Sequence, residues 1–411
     1  MSRRSTISAL CASNGALESA TRRIVGSTPR TFSSTARQNA SIGHFTPTSS
    51  PQLDELLNMI RQKIILPAYL PREQRKKLYS PKYEKKLRSD PVTIEIDGEV
   101  IRFRYTNPFI EMPQTRRSVL SAISQFQTAD DFVNLQPLIE GTAKAQRTFD
   151  PSFYCKVIRI LGQRDRIYDA IELARSVSRT DFRLDCSEKV NEILHFVQMK
   201  AVDADWDPVV TARVLRWSEM VLEMLEEEEH QPEQRKSDVP RRDVLPLHRD
   251  PMVLLAPLHL AASLLAKLGT EAGAAAVAAA ESKAEAEADT EAEVKIPSKE
   301  EVREKLNKYA NDIVRLWPEG KKLMEIQPKD LYETEDKMEY LTVPNKFVVI
   351  ATPLLYGLEA AIPLVEPELA AQLKSRRDIL AAEVQQARKE AGAKPGKRGE
   401  IVYQKIYGDA A

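Results

Sequence analysis

The sequence predicts a mainly α-helical protein. Its body is a solenoid-like set of helical hairpins, with one small β-hairpin near the N-terminus and basic extensions. Three observations carry this. Aromatic residues make up only 6% of the 411 residues and Ala, Glu, Leu, Lys and Arg abound, a mix that favours helix over sheet. Candidate helices opening at Ser118, Ser152 and Ser187 recur about every 35 residues. Only one stretch, 91–106, alternates clearly with period two.

Residues 1–43 contain Arg3, Arg4, Arg22, Arg23, Arg30 and Arg37, no Lys, and one acid, Glu18. An Arg-rich, Ser-rich, acid-poor N-terminus is the composition of a mitochondrial transit peptide, a cationic amphipathic helix drawn by an inside-negative potential. Arg30-Thr31-Phe32-Ser33 resembles a matrix processing site, with Arg two residues before an aromatic and cleavage after it. The expected location is the mitochondrial matrix.

Residues 44–117 read as a basic N-terminal extension. Leu53, Leu56, Leu57, Ile60 and Ile64 predict a helix over 50–66, ended by Pro67 and Pro71. Arg72–Arg88 then holds eight basic residues against Glu73 and Glu84, a local charge of +6 in a chain whose net charge is zero. In the hairpin, Asp97-Gly98 is the preferred pair for a tight turn. Pairing Ile96 with Glu99 sets Ile94 opposite Ile101 and Val92 opposite Phe103, so one face is apolar and must pack on something. Arg102 and Arg104 belong to the other face.

The hairpin repeats span 118–229. First helices at Ser118, Ser152 and Ser187 alternate with second helices over 129–144, 166–178 and 208–225, and Thr128 with Asp131 predicts a cap. Within them, Phe149–Asp185 resembles a pentatricopeptide repeat. An aromatic precedes an apolar first helix, Gly162 makes the turn, and Asp169-Ala170 with Glu172-Leu173 lies in the second. The family's base-reading positions are not carried over to this chain.

A polar linker, 230–250, separates this region from an apolar helix, 251–268. The run 252–266 is shorter than a membrane span requires and contains Pro257 and His259, so no transmembrane segment is expected. Residues 269–297 form an Ala/Glu-biased insertion without core-forming side chains. The C-terminal helical region, 298–391, opens with a Ser298/Glu301 capping box and ends at Gly392. The tail, 392–411, is basic, with Tyr403 and Tyr407 interleaved.

Catalytic signatures are missing. There is no phosphate-binding glycine loop and no nucleophile elbow. Cys11, Cys155 and Cys186 form no C-x-x-C pair, and the five histidines make no metal-ligand spacing. No enzyme activity, cofactor, metal or small-molecule substrate is expected. What remains is charge. Arg72, Arg75, Lys76, Lys77, Lys82, Lys85, Lys86 and Arg88, with Tyr79 and Tyr83 among them, suit RNA: cations neutralise phosphates and rings stack on bases. Arg102, Arg104, Arg116 and Arg117 extend the set.

The overall layout, with its 91–106 hairpin and acidic insertion, resembles fungal-type accessory proteins of the small subunit of the mitochondrial ribosome. That resemblance implies a structural role, binding mitochondrial rRNA and neighbouring mitoribosomal proteins. Two other readings stand beside it: a pentatricopeptide-like RNA-binding factor for mRNA stability or translation activation, and a respiratory-complex assembly factor.

Overall fold

In the computed structural model, the described residues are 44–96, 99–231, 244–270, 296–328, 341–392 and 396–408. The expected transit peptide, the Asp97-Gly98 turn and nearly all of the Ala/Glu insertion lie outside them.

The apolar stripe of the first helix does what its spacing requires. Leu53, Leu57 and Ile60 are buried along α1 (Pro51–Ile60). The chain stays helical beyond the expected stop, through one π turn (Arg61–Ile65) and a 3-10 turn (Leu66–Tyr69). Pro67 sits in the first turn of that 3-10 segment. The chain turns extended only at Leu70, before Pro71. The basic segment is broken helix: α2 (Arg72–Leu78), a 3-10 turn at Pro81–Tyr83, and α3 (Glu84–Ser89). Strands β1 (Val92–Ile96) and β2 (Glu99–Phe103) pair antiparallel, with Ile96 opposite Glu99, Ile94 opposite Ile101 and Val92 opposite Phe103. That is the expected register, but β2 stops at Phe103 and Tyr105 lies beyond it.

The hairpin region then runs α4 (Thr115–Gln125), α5 (Ala129–Val133), α6 (Leu135–Lys144), α7 (Pro151–Gln163), α8 (Ile167–Arg175), α9 (Val177–Thr180), α10 (Ser187–Asp203) and α11 (Pro208–Glu226). Helix α5 opens with the Thr128/Asp131 capping box. The buried Asp131 carboxylate also accepts the backbone N–H and hydroxyl of Ser49, both at 2.8 Å. Burial pushes its pKa up, but hydrogen bonds from Thr128, Ser49 and Gln127 overcome this and hold it well below the usual range. Asn134 exchanges two hydrogen bonds with the backbone of Thr46. The segment before α1 is thereby fastened to the hairpins, and α1 packs on α4 within the principal core.

Helix α12 (Pro251–Leu268) is apolar around its whole circumference, and such a helix belongs at the centre. It packs against α10, α11, α13 (Lys299–Leu316) and α14 (Pro344–Ala361). By length and composition, α12 and the helical stretch Pro344–Leu364 could each cross a bilayer; here 83% and 67% of those windows are buried in the protein. Ser298 and Glu301 form the expected box at α13. Helix α15 (Pro367–Ala391) ends at Gly392, whose φ of +78° is a left-handed C-cap. The polar stretch before α12 contains buried Leu247 and Asp250; Asp250 caps α12 by accepting the Met252 N–H at 2.9 Å. Burial pushes the Asp250 carboxyl up to about 6.

Within the basic tail, α16 (Arg398–Tyr407) forms and packs on α14. Val402 and Tyr403 are buried.

Candidate nucleic-acid interface

The apolar face of the hairpin meets a small core of its own. Phe103 packs with Leu66, Leu70 and Leu78, with Tyr69, Tyr79, Val92, Ile94 and Ile101 against them. The Thr106 N–H donates to the Leu78 carbonyl at 3.1 Å and ties the end of the hairpin to α2. Helices α2 and α3 each bury a single residue, Leu78 and Leu87. Their cations are left outside.

Arg72, Lys76, Lys77, Lys82, Lys85, Lys86, Arg88, Arg102 and Arg104 are exposed, and Arg75 is half-exposed. The two acids of the basic segment are already taken: Glu73 pairs with Lys76 at 3.2 Å and Glu84 with Arg88 at 3.1 Å. Both pairs are wet and contribute little. Among the described residues, no ion pair joins Arg72, Arg75, Lys77, Lys82, Lys85 or Lys86 to an acid. The fold thus carries six uncompensated cations over α2, α3 and the turn between them.

The interleaved tyrosines behave differently from one another. Tyr79 is turned inward onto the hairpin core, and burial raises its phenol pKa. Tyr83 is half-buried, with the Lys77 ammonium 6.0 Å from its ring centre. Arg116 and Arg117 fall in the first turn of α4. Arg116 reaches Asp150 at 2.9 Å and the Ser152 hydroxyl at 2.6 Å, so it joins α4 to the start of α7. Arg117 is exposed.

The tail cations are also engaged. Arg398 pairs with Glu192 and Lys405 with Asp203. The Lys397 ammonium donates to the Ala391 carbonyl. Tyr403 lies under the Arg388 guanidinium, 3.4 Å from it, and Tyr407 meets Tyr356 edge-on.

Sequence reasoning missed a groove of about 410 Å³ between the hairpin and the end of the first helix. Arg61, Lys63, Arg102 and Arg104 line it, with Tyr79 and Thr106. Arg61 pairs with Glu99 at 2.6 Å across the groove. Arg61 and Lys63 carry no local signal, because they sit on a helix whose apolar stripe dominates the reading. Among the described residues, no group of His, Cys, Asp and Glu could hold a metal ion.

The profile of the family described as "Mitochondrial ribosomal protein mS27" matches residues 30–406. The chain belongs to the mS27 family. The small ribosomal subunit protein mS27 of Neurospora crassa is 34% identical over 389 residues, covering 92% of each chain. The mS27 match includes the basic segment, the hairpin, the helical body and nearly all of α16.

Proposed function

We infer that this chain is a structural component of the small subunit of the mitochondrial ribosome, supporting mitochondrial translation in the matrix. Its N-terminal layer binds rRNA phosphates and its helical body meets neighbouring ribosomal proteins. Family membership supports the assignment to the ribosome. The observation that carries the RNA contact is the set of six uncompensated cations on α2, α3 and the turn between them. Like charges held this close repel one another unless phosphates or counterions neutralise them. Pro71 and Pro81 break the segment into short helices, so it can follow an irregular phosphate path.

The test is sedimentation through a sucrose cushion at moderate salt, where phosphate contacts persist. Wild-type protein stays with the small subunit. Lys76→Glu, Lys77→Glu, Lys85→Glu and Lys86→Glu combined moves it to free fractions while the helical body stays folded, since all four side chains are exposed. Retention of this variant on the subunit would leave attachment to protein contacts alone.

A further inference from the structure

The loop joining the hairpin to α4 exposes two large apolar side chains at its tip. Phe109 is 95% exposed and Ile110 82%, although the hairpin core lies close in the chain. The loop is braced in that position. Asn107 accepts the Phe109 N–H on its side-chain oxygen at 3.0 Å and the Glu111 N–H on its carbonyl at 2.9 Å. The Lys63 ammonium donates to the Glu111 carbonyl at 3.0 Å. Lys63 also lines the groove beside Arg102 and Arg104, which ends at Thr106, three residues before the ring.

We propose that this loop is a base-stacking finger, with Phe109 receiving an unpaired RNA base while Lys63, Arg102 and Arg104 take the adjoining phosphates. The inference rests on the RNA-binding reading above. Charge complementarity selects the occupant. An apolar pocket on a protein would cover Phe109 and leave the neighbouring cations unmatched. A nucleotide satisfies both, with a π face for the ring and an anionic backbone for the groove. Stacking on an aromatic ring needs no particular base, so the finger adds affinity with little sequence preference.

The test titrates the purified full-length chain with a short single-stranded oligoadenylate over a salt series. Phe109→Ala weakens binding about 5- to 150-fold, the range for losing one stacked base. The log–log salt slope stays unchanged, because no phosphate contact is lost. Phe109→Trp keeps the parental affinity. The four-lysine variant weakens binding and also flattens the slope. Should Phe109→Ala bind like the parent while the lysine variant weakens, RNA binding stands and the finger falls; the loop then meets a protein neighbour. Equal losses in Phe109→Ala and Phe109→Trp also overturn stacking. Absence of salt-dependent binding by the parent removes the RNA reading and the finger with it.

Discussion

Arg398 on the last helix reaches back 206 positions to Glu192 on α10, with Nη2 and Oε2 3.1 Å apart. Glu192 is almost completely buried and also accepts from Arg159 Nε at 2.8 Å. Burial alone would raise the Glu192 pKa, but Arg398 and Arg159 overcome it and hold the carboxyl ionised. One buried carboxylate therefore clasps the C-terminal helix to the helical hairpins.

Removing that carboxylate should cost more than removing one cation. Glu192→Ala takes the shared partner from two guanidinium groups and should destabilise by about 3 kcal/mol or more. Arg398→Ala leaves Arg159 in place and should cost about 1–2 kcal/mol. Denaturant midpoints give both values. Limited proteolysis should cut within 398–407 sooner in either variant than in the parent.

Acid should weaken the fold, starting well above the carboxylate range. Burial lowers the pKa of both His195 and His259 from 6.5 to about 3; for His195 the Arg398 charge adds to this. Between those values the unfolded chain takes up protons that the folded chain refuses. Their contribution is therefore intact above pH 6.5 and is lost as pH falls toward 3. Asp250 acts in the opposite sense. Its folded carboxyl keeps a proton up to about 6 against an ordinary 3.8, so it adds stability as pH falls between them. Urea midpoints above pH 6.5 and midway to 3 check this. His259→Asn should flatten the difference, and Asp250→Asn should steepen it.

Gly357 is required by the crossing of α12 and α14. A Cβ there would lie 2.5 Å from His259 Cβ and 2.9 Å from its Cα, and that backbone cannot give way without separating the helices. Gly357→Ala should cost about 1–3 kcal/mol. Gly392→Ala is the control: it meets no atom within 4 Å and is strained only by its φ of +78°, at about 1 kcal/mol. Thermal unfolding of the two variants should rank them in that order.

The mature N-terminus should lie near Ser33. The Arg30-Thr31-Phe32 pattern motivates this, and the mS27 match begins at residue 30. Terminal sequencing of the protein recovered from mitochondria checks it. An intact Met1 would refute it.

Local chemistry was enough to read the elements of this chain. Helix spacing, the Thr128/Asp131 and Ser298/Glu301 boxes, the Gly392 cap and the pairing of Ile94 with Ile101 each depend on residues close in sequence. So does the charge of 72–88, because two acids cannot neutralise eight cations wherever they fold. Exposure is a different matter. The tail reads as basic with tyrosines interleaved, yet Arg398 and Lys405 meet acids on α10 and Tyr403 is buried. Tyr79, expected among the stacking rings, packs on the hairpin, whereas Phe109, which no sequence pattern marked, stands in solvent. Arg116 looked like part of the basic patch and binds Asp150. Whether a cation or a ring is free depends on which distant element arrives beside it, and those contacts form only when the whole core closes.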